Sequence, residues 1–243
     1  MPFVSFIIPA YNEARLLGRT VSAIEKAARA LRLAFEVIVV DDASSDRTSE
    51  VARAHGARVV PVSCRQIAAT RNAGARAAAG EWLVFVDADT IIAEVVLREA
   101  IAALTAGAAG GGCVVRFDGR VPRYGRVLIA LLLPLYRALG LAAGCFLFCT
   151  RQAFEAVGGF DERLFAAEEA VLSRALRRLG RFVILRATVV TSARKLRAHS
   201  AGEVLATLLR LACRGPRAVR QRDGLELWYG ERRIDPECPD SQS

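Results

Sequence analysis

The sequence predicts an α/β fold in which a mostly parallel sheet is flanked by helices. Short apolar runs alternate with helix-period stretches through the first hundred residues, the pattern of successive βαβ units. The run Phe35 to Val40 is rich in β-branched residues, as expected of a strand covered on both faces. Polar and acidic residues gather where several of these runs end, and in an open α/β sheet ligands bind beyond the carboxyl ends of the strands.

Phe3 to Ile8 reads as the first strand and Ala14 to Leu33 as the first helix. After the strand Phe35 to Val40, Ser44, Ser45 and Asp46 offer caps for a helix running to Ala54. Arg58 to Val62 is a third strand, Ile67 to Ala79 a third helix and Trp82 to Val86 a fourth strand. A helix from Glu94 to Leu104 is broken by the glycine-rich stretch Gly107 to Gly112. Less regular order follows: strand Val114 to Phe117, helix Val127 to Leu139, strand Cys145 to Cys149 and a short helix Arg151 to Val157 ended by Gly158 and Gly159. Glu168 to Leu179 has helical spacing, Phe182 to Leu185 is a further strand, and His199 to Cys213 is a last helix with a broad apolar side.

The chain has 243 residues, no internal repeat and no low-complexity linker, so one domain over 1–233 is expected. It divides into a nucleotide-binding half (1–106), an acceptor half (107–195) and a C-terminal helical region (196–233), with 234–243 as a flexible tail. The formal charge of +9 is almost all arginine, since lysine occurs only at 26 and 195. That balance permits phosphate binding. Acidic strand-end loops would repel a nucleic-acid backbone, so no nucleic-acid partner is expected. The six cysteines form neither a C-x-x-C pair nor a zinc pattern, and reduced core thiols are expected. Met1-Pro2 leads directly into a strand-like run with no basic region ahead of an apolar segment, which predicts a cytoplasmic chain. Val127 to Cys149 has the length of a membrane span, but Pro134 breaks it and Arg137 near its centre costs about 2.5 to 3.5 kcal/mol. A buried or surface-seated helix followed by a core strand is the expectation.

Three strand ends carry residues that packing does not require: Pro9-Ala10-Tyr11-Asn12-Glu13, Asp41-Asp42-Ala43-Ser44-Ser45-Asp46 and Asp87-Ala88-Asp89-Thr90. Two carboxylates separated by one residue at a strand end can reach a hard cation and a ribose hydroxyl together. A magnesium or manganese ion so held takes its other ligands from water and substrate phosphates. Asp41 and Asp42 also suit turn and capping chemistry.

These motifs, with Ala69-Thr70-Arg71-Asn72-Ala73-Gly74 and Gly158-Gly159-Phe160-Asp161-Glu162, resemble the family-2 glycosyltransferases of GT-A fold over residues 3 to 190. The resemblance implies a nucleotide-sugar donor, with uridine diphosphate sugars favoured, and a Mn2+ or Mg2+ cofactor. It implies that Pro9, Tyr11, Glu13, Asp42 and Ala88 lie around the nucleotide, that Arg71 and Asn72 meet the base or diphosphate, that Asp87 takes the ribose and that Asp89 holds the metal. It further implies an acidic residue that deprotonates the acceptor during an inverting displacement. The matching position is Glu169, beside Glu168, where the family usually has Asp; the longer arm shifts the carboxylate by about one methylene. Successive helical residues point about 100° apart, so only one of the pair faces the site squarely. Both also sit where a helix N-terminus favours carboxylates. His199 is a candidate further metal ligand, and Arg194-Lys195-Leu196-Arg197 ahead of it can meet a diphosphate.

A nucleotidyltransferase would place a glycine-rich, arginine-containing loop after the first strand, and a dinucleotide oxidoreductase a G-x-G-x-x-G; neither is present. The alternatives are a sugar-phosphate nucleotidyltransferase and, behind it, a non-catalytic module that binds a nucleotide sugar or nucleic acid. An apolar wall at Val127 to Leu139 would suit a lipid-linked acceptor and peripheral contact with the inner membrane face. The Arg214 to Arg222 stretch and Trp228-Tyr229 would close over the donor or rest on lipid head groups.

Overall fold

Alternate residues of the first two strands bury against opposite layers. In β1 (Val4–Ala10), Val4, Phe6, Ile8 and Ala10 enter one core and Ile7 the other; in β2 (Phe35–Asp42), Val37 and Val39 oppose Ile38 and Val40. Two buried faces explain why these segments read as near-continuous apolar runs. The computed structural model describes residues 3–138, 140–142, 144–230, 233 and 235.

The first core is closed by α1 (Ala14–Ala30) and α4 (Glu94–Thr105), which contribute Leu17, Val21, Ile24, Val96, Leu97 and Ala100. The second lies under α3 (Ile67–Ala77), α6 (Arg151–Ala156) and α7 (Glu168–Leu179), through Ala68, Ala75, Phe154, Leu172 and Leu176. Between them runs one eight-stranded sheet, ordered β3 (Arg58–Val62), β2, β1, β4 (Trp82–Val86), β7 (Phe146–Thr150), β6 (Gly110–Phe117), β8 (Phe182–Thr191) and β5 (Thr90–Ile91). The strands β3, β2, β1 and β4 are mutually parallel, and β6 is parallel to β8. β7 runs antiparallel to both β4 and β6, and β5 antiparallel to β8. The remaining elements are α2 (Thr48–Ala54), α5 (Arg123–Ala138), α8 (Arg194–Ala198), α9 (Ala201–Arg214), a 3-10 turn (Gly215–Arg220) and α10 (Glu226–Tyr229).

Several expectations are corrected. The helix ends ahead of Gly107 as expected, but Gly110, Gly111 and Gly112 are not part of a break: they begin β6. A Cβ on Gly111 would stand 2.2 Å from the Val183 carbonyl oxygen and 2.4 Å from Phe148 Cζ, and one on Gly112 would stand 2.4 Å from Ala142 Cβ. Glycine is there because neighbouring chain approaches too closely for a side chain. β8 extends past Leu185 to Thr191, because after a shift in register at Cys113/Val114 it keeps pairing with β6 through Phe117. The two-residue β5 and the short helices α8 and α10 carry too few residues for a periodic signal. Ser44 and Ser45 do not cap α2: Ser44 Oγ accepts from Asn12 N–H at 2.9 Å and Ser45 N–H donates to Asn12 Oδ1 at 2.8 Å, joining the β1 and β2 loops. Asp46 Oδ1 instead accepts from Thr48 N–H at 2.9 Å. Cys113 and Cys149 are buried, whereas Cys64 is exposed; Cys213 and Cys238 lie outside the residues whose side chains are described.

Among the described residues no helix is long and apolar enough to cross a membrane. Within the stretch expected to fray, Asp235 accepts from Arg197 at 2.7 and 2.6 Å; 234 and 236–243 lie outside the described residues.

Candidate active site

The ends of β1, β2 and β4 and the start of α3 meet around one cavity, lined by Pro9, Tyr11, Glu13, Asp42, Asp87, Ala88 and Asp89 among others. α3 reaches this edge because Gly74 lets it lie flat on the sheet; a Cβ there would stand 2.4 Å from Ile7 Cγ2 and 2.8 Å from Val40 Cγ2. That seating carries Thr70 and Arg71 to the strand ends. Thr20 Oγ1, from α1, donates to the Ala88 carbonyl at 2.9 Å and fixes the turn between the two aspartates.

Asp42 anchors the floor. Its Oδ1 accepts from Cys64 and Arg65 N–H at 2.7 and 2.8 Å, and its Oδ2 from Gln66 N–H at 3.2 Å and Thr70 Oγ1 at 2.9 Å. Those four bonds occupy the acceptor positions of a carboxylate, so Asp42 shapes the loop that borders the cavity. That loop lays the Arg65 guanidinium over the Tyr11 ring, 3.7 Å from its centroid, on the ring expected to meet the base.

Two arginines organise the acidic residues. Arg194, at the start of α8, places one Nη2 2.5 Å from Glu13 Oε1 and 3.0 Å from Asp89 Oδ2. Thr191 Oγ1 adds a bond of 3.3 Å to Asp89 Oδ1. Arg71 donates from Nη2 to Asp87 Oδ1 at 2.9 Å and to the Gly144 carbonyl at 2.8 Å, and from Nη1 to Glu168 Oε1 at 2.9 Å. Burial alone would lower the pKa of each arginine. The carboxylates, led by Asp87 for Arg71 and Asp89 for Arg194, outweigh that and hold both above their usual values.

Arg71 therefore joins the cavity to α7, where Glu168 is buried and Glu169 half-buried. Burial and the charge of Glu168 push the Glu169 carboxyl up to about 8, against the opposing pull of Arg71. Gly144 leaves space beside it, since a Cβ there would stand 3.3 Å from Glu169 Cδ. Ala167, just before the pair, holds a left-handed φ of 62°, and Asn12, Ala43 and Arg65 at the cavity loops are left-handed too. Such conformations cost free energy for residues with a side chain and collect at sites where the surroundings fix them.

Asn72 is not at the cavity. Its amide exchanges bonds of 2.9 Å with the backbone of Phe160 and donates to Glu162 Oε1 at 2.9 Å, locking the Gly158 to Glu162 loop on the other side of α3. Nor does His199 line it. The His199 ring faces the Lys195 carbonyl through Nδ1 at 2.9 Å. Sequence reasoning did not single out Gln66, Thr70 or Arg65 for the cavity. It left Arg222, Trp228 and Tyr229 without a settled task, and all three line the cavity mouth. Phe165 holds Tyr229 edge to face at 5.6 Å, and the Arg222 guanidinium lies 5.5 Å from its centroid.

A family profile described as glycosyl transferase family 2 matches residues 5–157, more than half of the chain. The chain belongs to glycosyl transferase family 2. Relatives of the chain include validoxylamine A glucosyltransferase of Streptomyces hygroscopicus subsp. jinggangensis, 34% identical over 131 residues that make up 50% of this chain and 31% of the relative. The succinoglycan biosynthesis protein ExoO of Rhizobium meliloti is 37% identical over 130 residues, 49% of this chain and 36% of that one. The matched stretch thus spans about a third of the length of these relatives. Among solved structures, the mannosyltransferase PcManGT of Pyrobaculum calidifontis, in complex with GDP-Man and Mn2+, aligns over 94% of this chain and 69% of its own at a TM-score of 0.66 and 22% identity. Glucosyl-3-phosphoglycerate synthase of Mycobacterium tuberculosis, with Mn2+ and UDP-glucose, aligns over 90% and 79% at 0.59 and 19% identity. The fold of this family member is accordingly the GT-A fold, an α/β architecture with a mostly parallel sheet.

Proposed function

We propose that this glycosyltransferase moves a sugar from a nucleoside diphosphate sugar, most simply a uridine diphosphate sugar, to an acceptor hydroxyl with inversion, Glu169 acting as the base. The observation that carries the reading is the Arg71 bridge, which ties Asp87 in the cavity to Glu168 beside Glu169. Carboxylates distant in the chain thereby share one site, with an ionisable group on its acceptor side.

Pro9, Tyr11, Ala88 and the loop held by Asp42 frame the nucleotide, and Asp87 takes a ribose hydroxyl. The acceptor proton passes to a Glu169 carboxylate oxygen as the acceptor oxygen bonds to the anomeric carbon, and the bond from that carbon to the diphosphate oxygen breaks. Arg194 and Lys195 face the departing charge. A divalent cation suits Asp89, whose carboxylate already holds a positive group, and when bound it would offset charge on the leaving diphosphate. No group of three or more metal-binding side chains occurs among the described residues, so water and phosphate oxygens would have to complete the shell of such an ion.

A panel of UDP- and GDP-sugars with MnCl2 or MgCl2, scored by thermal shift and by slow release of free nucleotide, tests the reading. A rise in melting temperature of several degrees with one nucleotide class, together with hydrolysis, is the expected result. A chain indifferent to every nucleotide in the presence of metal would refute it. Rapid pyrophosphate release from a nucleoside triphosphate and a sugar phosphate would point to a nucleotidyltransferase.

The acceptor side favours an amphipathic, lipid-linked substrate. Val127 and Leu131 on α5 are 62% and 68% exposed, and Leu205 and Leu209 on α9 57% and 56%. The base of α5 is tied to the turn leading into α9 by Tyr124 Oη, which donates to the carbonyls of Leu196 at 2.5 Å and His199 at 2.9 Å. The undecaprenyl-phosphate 4-deoxy-4-formamido-L-arabinose transferase of Pseudomonas paraeruginosa, 36% identical over 96 residues, is named for such a lipid. Replacing Leu131 and Leu209 together with Ser is expected to weaken sedimentation with phosphatidylglycerol vesicles at least about tenfold, given ~1.5 kcal/mol or more per buried leucine. Unchanged partitioning would remove the membrane contact from the reading.

A further inference from the structure

Arg194 is the residue whose surroundings call for more than a structural role. It is largely buried, with a side chain 17% exposed, and one Nη2 serves both Glu13 and Asp89. Its Nε, also buried, has no hydrogen-bond acceptor among the described residues. A guanidinium carries five donors in a fixed fork suited to oxyanions. Here one terminal nitrogen is shared by two carboxylates while the buried Nε–H stays unanswered, and the residue borders a cavity lined by further cations, Arg65, Lys195 and Arg222.

The backbone around Arg194 is pinned independently of its side chain. Ser192 N–H donates to the Asp89 carbonyl at 3.2 Å and Ala193 N–H to Asp118 Oδ1 at 2.8 Å. The long arm can therefore swing while its root stays beside Asp89.

We propose that Arg194 is a built-in counter-cation: it neutralises Glu13 and Asp89 in the free protein and transfers to the diphosphate of the donor, freeing Asp89 for a divalent cation. The proposal rests on the metal- and donor-binding reading above and adds to it an order of events. A divalent ion arriving alone must compete with a guanidinium already seated on Asp89. When a diphosphate is present, the fork has an anion with oxygens enough for both Nη2 and the unanswered Nε. Donor and metal then favour one another through Arg194 as well as through direct metal–phosphate bonds, and such a coupling acts equally on both ligands.

The test is binding of MnCl2 to the full chain without nucleotide, read from the electron paramagnetic resonance signal of free Mn2+, for wild type, Arg194→Gln, Arg194→Met and Arg194→Lys. Thermal unfolding first establishes that each variant folds, and Met keeps the apolar stem should Gln not be tolerated. Both neutral variants are expected to bind Mn2+ about tenfold more tightly than wild type, and Lys, which keeps the charge, to stay near wild type. With MnCl2 present, UDP is expected to bind the neutral variants about tenfold more weakly, because the fork is gone. Equal or weaker Mn2+ binding by the neutral variants in the absence of nucleotide overturns the proposal, as does a Lys variant that binds like Gln. Should wild type take up Mn2+ with UDP while the variants match it, only the counter-cation role falls. Should wild type take up none even with UDP, the metal-dependent reading falls and this proposal with it.

Discussion

Glu169→Gln is expected to lower kcat by about two to four orders of magnitude, the usual contribution of a positioned general base, while leaving donor affinity close to wild type. Glutamine keeps the size of the side chain and removes its ability to take a proton. With the carboxyl of Glu169 raised to about 8, the acid limb of kcat/KM in wild type should lie near that pH, and activity should climb as the group ionises. Glu168→Gln removes the neighbouring charge that helps raise it, so the limb should move to lower pH with a much smaller change in kcat. The same shift has a consequence for stability. A carboxyl whose pKa is higher folded than unfolded binds more protons in the native state, so its contribution turns unfavourable as pH rises between about 4.3 and about 8. Glu169→Gln stays in the neutral form and should melt higher than wild type at pH 8.5 but not at pH 5. A pH–rate profile and paired thermal melts check both; a variant with full kcat, or one that loses kcat only because it has unfolded, would remove Glu169 from the base role.

Arg71→Met is expected to cost about 3 to 5 kcal/mol of stability in urea denaturation at pH 7, the range found when one partner of a buried ion pair is removed. Arg71 is 3% exposed, and its loss strands the buried carboxylate of Glu168, the half-exposed Asp87 and the Gly144 carbonyl at once. Arg71→Lys keeps a charge on a single nitrogen, which cannot reproduce three bonds aimed in different directions. It should recover part of the stability and little of the activity. An Arg71→Met protein as stable as wild type would mean that the bridge does not hold the two sides of the site together.

The strand ends were readable because their composition conflicts with packing. Tyr11 to Glu13, Asp41 to Asp46 and Asp87 to Asp89 interrupt apolar runs with residues a core would reject, and the structure sets Tyr11, Glu13, Asp42, Asp87 and Asp89 around one cavity. Helix α7 was legible to its first and last residue, because apolar spacing and two opening glutamates point the same way. Asn72 shows the limit of motif reading. Its neighbour Arg71 faces the strand ends, and a helical step of about 100° turns Asn72 toward Phe160 instead. Gly110 to Gly112 misled for a related reason: composition alone does not separate a glycine that ends a helix from one that lets another strand approach. Arg194 stood within a basic run already matched to a diphosphate, yet its seat on Asp89 and Glu13 depends on β8 carrying the chain back alongside β5, a pairing of residues a hundred positions apart.

The reversed direction of β7 bears on how such a protein can vary. Because that strand enters where β4 leaves, Asp87 N–H donates to the Cys145 carbonyl at 3.1 Å and Arg71 reaches the Gly144 carbonyl. Inserting or deleting a single residue in β7 would turn its side chains to the wrong layer and pull these carbonyls off the aspartate turn. Length changes are thereby channelled into the excursion between Asp118 and Leu141, the proposed acceptor side, where α5 can lengthen, shift or be exchanged while the strand ends around the cavity keep their register.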